Sequence, residues 1–312
     1  MFMNYKILIG KPLTHKEMMH VEQLIAAVFE QINTIYNKWN PHSELSQLNR
    51  LKAGERRVLS NELFQFLKQM DEIVKMTQGH FDPTIEPIQQ LWKTKLEQGV
   101  EPTSEEIAQV TPAIGWHLIH VEDSYFYKDH DATALDLGGI AKGLAVDLLV
   151  ERLNEAGYTH LFVEWGGEIR ATGSHPNNRP WTIFISRFGD NDPDHAIAQL
   201  KLTDAAIATS GDYLQNWTLY DANAPKEIVT YFHIFDPQTY QPLVASSQSI
   251  ASASIIAPTC VLADALATAA MLFTSKMETL VWLREVQIQY PSVELFLFTR
   301  EEVNLNQPIK RG

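Results

Sequence analysis

His160-Leu161-Phe162-Val163-Glu164-Trp165-Gly166-Gly167-Glu168-Ile169-Arg170-Ala171-Thr172 separates two unlike halves of the chain. Residues 160–165 and 168–172 read as strands on either side of Gly166-Gly167, rich in the β-branched and aromatic side chains that suit a pleated surface. Further strands are expected at 181–186, 197–202, 205–209, 228–235 and 293–298. Upstream, the apolar period is helical. Val21, Leu24, Ile25, Val28, Ile32 and Ile35 place an amphipathic helix over 16–36, broken by Asn40-Pro41. Ser60 is an N-cap for a helix with Leu63, Leu67, Met70 and Val74 inward, closed by Gly79. A third helix runs over about 85–97 with Ile88, Leu91 and Trp92, and Thr103 with Glu106 forms a capping box for a fourth.

His117–Val121 and Tyr125–Tyr127 read as a hairpin around Glu122-Asp123-Ser124. Ala132–Leu137 is expected as a strand entering a glycine turn, followed by a helix over 140–156 with Val146, Leu149, Val150 and Leu153 on one face. Helices over 276–289 and around Asp264 complete the pattern. Early helices and late strands argue for an α+β fold. The stretches 173–180 and 189–195 read as surface loops, and with no strong boundary or repeat visible, residues 1–312 are expected to form one domain.

The chain carries 38 acidic and 25 basic side chains, a net charge of -13. Such a surface repels nucleic acid, whose binding rests on basic side chains at phosphates. It also disfavours small anions unless a metal ion or a helix N-terminus supplies local positive charge. No run approaches the roughly 18 apolar residues of a membrane span, and no signal peptide is visible at the start. Cys260 is the one cysteine, which excludes an internal disulfide framework.

Several short motifs carry chemistry. Asp264 and Thr268 stand four apart among small apolar residues and share a helix face. They suit a small hard cation such as Mg2+, or equally a buried aspartate bonded to a neighbouring hydroxyl. Leu135–Gly143 joins an extended run, a Gly138-Gly139 turn and a helix start, which offers backbone N–H groups to a phosphate or serves packing alone. It is neither a dinucleotide fingerprint nor a P-loop. In Gly79-His80-Phe81-Asp82-Pro83-Thr84, Asp82 is placed to cap the next helix. Thr209-Ser210-Gly211-Asp212-Tyr213 has the composition of a ligand turn or an ordinary hydroxyl turn. His233, in His233-Ile234-Phe235-Asp236-Pro237, is either structural or a general acid/base.

Taken in order, these motifs resemble the ApbE family, the FAD:protein FMN transferases. The resemblance runs from Trp39 to about Phe273 and also includes Asn40–Asn49 and Gly166–Ile169. It implies a T-fold-like α+β architecture, with helices mainly N-terminal and around a largely antiparallel sheet. It further implies FAD as substrate, Mg2+ as cofactor, and transfer of FMN to a threonine or serine hydroxyl of an acceptor redox flavoprotein with release of AMP. Hydrolysis of FAD to FMN and AMP, or flavin binding without catalysis, are the alternatives. By position, the resemblance makes Asp264 and Thr268 side-chain metal ligands, adds the carbonyl of Ala141, and places Ala267 beside them. Trp39, His80, Phe81, Asp82, Gly138, Leu144 and Phe235 become flavin-nucleotide contacts and His233 the catalytic histidine. The chain departs from the family pattern at His80, where a small residue is common, and at Tyr240, where glycine is usual. Because tyrosine resists positive φ, the turn after Pro237 is expected to differ. The family's signal or lipid-anchor segment is not visible, so the expected compartment is periplasmic or membrane-associated if the chain is processed and cytoplasmic otherwise.

Overall fold

Leu161 and Val163 pack with Val146, Leu149 and Leu153, whereas Phe162 between them packs with Trp181 and Ile183. This split is the two-residue period of a strand buried on both faces. The computed structural model describes residues 4–185, 196–212, 216–220, 228–246 and 249–305.

The described chain opens with β1 (Tyr5–Ile9), α1 (His15–Gln31), α2 (Glu44–Asn49), β2 (Arg57–Val58) and α3 (Asn61–Met76). Next come α4 (Glu86–Glu97), α5 (Ser104–Val110), the hairpin β3 (Ile119–Glu122) and β4 (Tyr125–Lys128), and α6 (Ala141–Glu155). Strands then dominate: β5 (Leu161–Trp165), β6 (Glu168–Thr172), β7 (Trp181–Ile185), β8 (Ala198–Leu202), β9 (Ala205–Gly211), β10 (Asn216–Tyr220), β11 (Ile228–Asp236), β12 (Gln241–Val244) and β13 (Ile250–Ala257). The last elements are α7 (Cys260–Ala270), α8 (Lys276–Gln289), β14 (Glu294–Thr299) and α9 (Arg300–Leu305).

A six-stranded sheet has the order β1-β5-β6-β9-β13-β14, and a smaller sheet the order β10-β11-β12. Every named strand pair is antiparallel, in keeping with the α+β expectation. On one face of the large sheet lie α1 and α6, joined through Val21, Val28, Val146 and Val150. On the other lies the β7–β8 hairpin, with Trp181 and Leu202 buried. The small sheet packs Tyr231 and Phe235 against Ile88 and Trp92 of α4. Because α7 is apolar on nearly every side, it is buried all round, and its Ala263, Leu266 and Ala270 join the largest cluster.

Asp147 of α6 fixes α7 against α6. Its carboxylate accepts the N–H groups of Cys260 at 2.9 Å and Val261 at 2.8 Å, and so caps the start of α7 from outside the helix. Thr259 caps the same end through the N–H of Leu262 at 3.4 Å.

The expected strand over Ala132–Leu137 is corrected, because these residues join no sheet. Side chains and a distant carbonyl take their backbone groups instead. Asn49 accepts from Leu135 N at 2.8 Å and donates to Leu135 O at 3.0 Å, while Asp136 N donates to Pro83 O at 2.7 Å. The first long helix stops at Gln31, and Ile32–Tyr36 winds on as a wider π turn. The loop expected at 189–195 and Tyr213 of the hydroxyl turn lie outside the described residues. Among the described residues no helix is long and apolar enough to cross a membrane.

Candidate active site

The two sheets meet α4, α6 and α7 at a cleft of about 230 Å³ that opens to solvent. One wall is built by the turn His80–Asp82 and the start of α4, and a second by β11 through His233 and Phe235. The floor comes from Gly138, Gly139 and Lys142 ahead of and within α6, from Ser210 on β9, and from Asp264 and Thr268 on α7.

The floor is held by short polar contacts. The N–H of Gly143 donates to Asp264 Oδ2 at 3.0 Å. Thr268 Oγ1 lies 3.2 Å from Ser210 Oγ and 3.5 Å from the carbonyl oxygen of Gly139. The close approach demands glycine at one place and leaves little room at a second. A Cβ on Gly143 would stand 2.5 Å from Cys260 O and 3.0 Å from Asp264 Cβ. One on Gly139 would press on Phe81 at 3.2 Å and on Thr268 Oγ1 at 3.3 Å.

Charge is concentrated in this floor. Asp264 is 2% exposed, and burial raises its pKa to about 6 against the opposing pull of Lys142. Lys142 pairs with Glu168, which is 1% exposed on β6. Burial disfavours the Lys142 ammonium, but Asp264 and Glu168 outweigh it and hold the pKa above its ordinary value. Glu168 is pushed to about 8, first by burial and then by the charge of Asp264. A cation therefore reaches the cleft of an acidic protein. The sequence alone assigns Lys142 no role, because its buried partner lies on a different element.

The opposite wall is set by an irregularity in the small sheet. Pairing of β11 with β12 shifts register between Tyr231 and Phe235, a span that includes His233. Such bulges re-aim side chains, and His233 lines the cleft. The turn after Pro237 corrects the expectation that tyrosine would change it. Tyr240 adopts φ 59, the left-handed conformation that glycine usually supplies. Its N–H donates to Asp236 O at 2.8 Å and its carbonyl accepts Trp92 Nε1 at 3.0 Å. The Asp236 carboxylate also accepts Gln238 N at 2.9 Å and Thr239 Oγ1 at 2.9 Å, so the surrounding bonds over-determine the strained residue.

Most of the residues singled out from sequence converge here. His80, Phe81, Asp82, Gly138, His233, Phe235, Asp264 and Thr268 all line the cleft. Asp82 is also a cap, as expected: Oδ1 accepts Thr84 N at 2.8 Å, and Oδ2 accepts Trp116 N at 2.9 Å. His80 packs its ring 4.2 Å from that of Phe273, its Nδ1 is buried without a hydrogen-bond partner, and burial lowers its pKa. Ala141 opens α6, while Leu144 and Ala267 are buried in the apolar cluster behind the floor. Trp39 stands apart, 80% exposed beneath the Lys38 ammonium at 4.9 Å. Gln89 and Lys93 of α4 also line the cleft and were not anticipated, because the α4 sequence reads as an ordinary amphipathic helix.

Among the described residues, no group of three or more His, Cys, Asp and Glu side chains is placed to hold a metal. The oxygen set at Asp264, Thr268 and the nearby backbone carbonyls nevertheless fits Mg2+, which prefers hard oxygen donors and keeps several waters. A buried carboxylate whose ionisation is resisted by burial is a group that a bound cation stabilises.

The sequence model described as the ApbE family matches residues 1–290. The FAD:protein FMN transferase of Chlamydia pneumoniae is 39% identical over 286 residues, 91% of this chain and 86% of that protein. The protein of the same name from Vibrio cholerae is 31% identical over 249 residues, 79% of this chain and 71% of that protein. Among solved structures, the apo flavinyl transferase ApbE of Pseudomonas stutzeri aligns with a TM-score of 0.76 at 24% identity, covering 96% of this chain and 92% of its own. The flavin transferase ApbE of Vibrio cholerae gives 0.73 at 25% identity, covering 96% and 94%.

Proposed function

The chain belongs to the ApbE family, and we propose that it transfers FMN from FAD to a threonine or serine hydroxyl of an acceptor protein, with Mg2+ bound and AMP released. The observation that carries this reading is the meeting of two sets of residues in one cleft. An oxygen-lined, lysine-bearing floor at Asp264, Thr268 and Lys142 shares the cleft with His233 on β11.

The acceptor oxygen forms a bond to the FMN-side phosphorus. The bond from that phosphorus to the bridging oxygen breaks, and AMP leaves with the electron pair. A ring nitrogen of His233 takes the hydroxyl proton. Asp264, Thr268 and the carbonyl of Ala141 would hold Mg2+ with Ala267 alongside, and the bound ion would neutralise charge on the phosphates. Lys142 adds a second positive charge to the same floor, held in place by Glu168. Gly138 and Gly139 let the backbone approach the pyrophosphate closely. His80, Phe81, Asp82 and Phe235 line the space left for the flavin nucleotide. For Trp39 and Leu144 a nucleotide contact is supported by the family resemblance alone. The largest apolar cluster takes in residues from Tyr36 to Leu297, which supports reading the chain as one domain.

The test is incubation with FAD, Mg2+ and a flavoprotein acceptor carrying candidate threonine and serine sites. Covalent flavin on the acceptor with AMP in equal amount supports transfer. Free FMN and AMP with an unlabelled acceptor would replace transfer by hydrolysis.

A further inference from the structure

We propose that Arg300 is a positioning residue that holds the His233 strand against the floor of the cleft. Arg300 begins α9, ten residues beyond the last residue matched by the family model. Its guanidinium pairs with the carboxylate of Asp212, whose side chain is 2% exposed. The same guanidinium lies over the ring of Phe232, 5.0 Å from its centroid. Phe232 immediately precedes His233, and Asp212 follows Ser210 and Gly211 of the cleft floor. Ser210 in turn lies 3.2 Å from Thr268 Oγ1. One side chain therefore touches both the strand of the proposed base and the strand that meets the proposed metal ligands.

Two details favour positioning over simple stabilisation. Asp212 Oδ1 and Arg300 Nε are buried without a hydrogen-bond partner, so the pair lacks the second bond of the fork that arginine and carboxylate frequently form. The guanidinium is shared between a carboxylate just past the end of β9 and a ring on β11 of the other sheet. Pairing of β11 with β12 is also irregular between Tyr231 and Phe235, and regular pairing with β10 ends at Asn216 opposite Phe232, so Phe232 is the last residue before His233 that a neighbouring strand holds in regular register. Arg300 itself is anchored from behind, its N–H donating to Ser249 O at 2.9 Å.

This inference rests on His233 acting in the reaction, and the test separates the two claims. Full-length wild type, Arg300→Met, Arg300→Lys and Phe232→Leu are compared. The His233 ring-proton NMR resonance is assigned by its loss in His233→Ala. FAD affinity, and AMP release from FAD with Mg2+ and a flavoprotein acceptor present, are measured in parallel. Arg300→Met is expected to shift the His233 resonance, lower kcat at least tenfold and displace the acid limb of the pH–rate profile, with FAD affinity within twofold of wild type. Arg300→Lys is expected to restore most of the rate and the resonance. Phe232→Leu, which keeps the ion pair, is expected to move the resonance in the same way and covers the case in which Arg300→Met does not fold. An unmoved His233 resonance in the folded variants would overturn the proposal, as would a loss of rate matched by a parallel loss of FAD affinity that lysine does not rescue. If His233→Ala kept the wild-type rate, the functional reading would fail, while the resonance would still decide the role of Arg300.

Discussion

Asp264 Oδ2 accepts the backbone N–H of Gly143 at 3.0 Å, so the carboxylate that faces the cleft also ties α7 to the positive end of α6. The helix end favours the charge that burial disfavours. One oxygen is engaged in holding the floor together, and the carboxylate as a whole still lines the cleft.

Replacing Asp264 separates these two roles. Asp264→Asn keeps an acceptor near the Gly143 N–H and removes the charge. It is expected to retain the fold, with a Tm within a few degrees of wild type, and to lose FAD turnover at least about 100-fold, the scale of losing one preorganised group that stabilises charge in the transition state. Asp264→Ala should lose turnover as fully and be the less stable of the two, because the buried N–H of Gly143 loses its partner at about 1–3 kcal/mol. Circular dichroism melts beside an AMP-release assay check both.

Gly143→Ala tests the close approach of α6 and α7. Its Cβ would sit 2.5 Å from Cys260 O, a backbone atom that cannot swing aside. The expected destabilisation is about 1–3 kcal/mol, as for overpacked cores. Turnover should fall as well, since the helices that carry the floor are forced apart. A thermal melt and a rate at saturating FAD measure the two effects.

Acidification should weaken metal binding before it harms the fold. The pKa of Asp264 stands at about 6, above that of an unfolded aspartate. Between those values the folded chain binds the extra proton, so this group makes the metal-free fold more stable as pH falls. Mg2+ must displace that proton, so its affinity should drop about tenfold per pH unit below about 6. Calorimetric Mg2+ titrations at neutral and mildly acidic pH, with FAD present, read the slope.

His233→Ala is expected to bind FAD within about twofold of wild type and to lose about 10²–10⁴-fold in transfer, the usual contribution of a general base. Fluorescence titration of FAD beside acceptor labelling tests it. Transfer at the wild-type rate would make His233 structural.

What the sequence revealed was mostly local. Ser60 and Thr103 cap their helices as expected, accepting Leu63 N at 3.2 Å and Glu106 N at 3.2 Å, because a cap is decided within one helical turn. The hairpin at Asp123-Ser124 forms for the same reason, with φ 47 and 67 at its two corner residues. Strand β13 was missed. Its Ile250-Ala251-Ser252-Ala253-Ser254 start is small and polar, and its identity comes from pairing with β9 and β14 on either side. The composition of Ala132–Leu137 suits a strand, yet Asn49 occupies the bonds a neighbour would make. At the cleft, Asp264 and Thr268 were legible from helical spacing. The Lys142–Glu168 pair and the Asp212–Arg300–Phe232 contact were not, since each joins elements far apart in the chain.

In the proposed reaction this cleft moves FMN from FAD onto a protein hydroxyl. The most direct test is mass spectrometry of covalently flavinylated proteins in cells expressing the wild-type chain, in cells expressing Asp264→Asn and in cells lacking it. FMN attached to threonine or serine in the wild-type cells alone is the predicted result. An identical set of flavinylated sites in all three would contradict it.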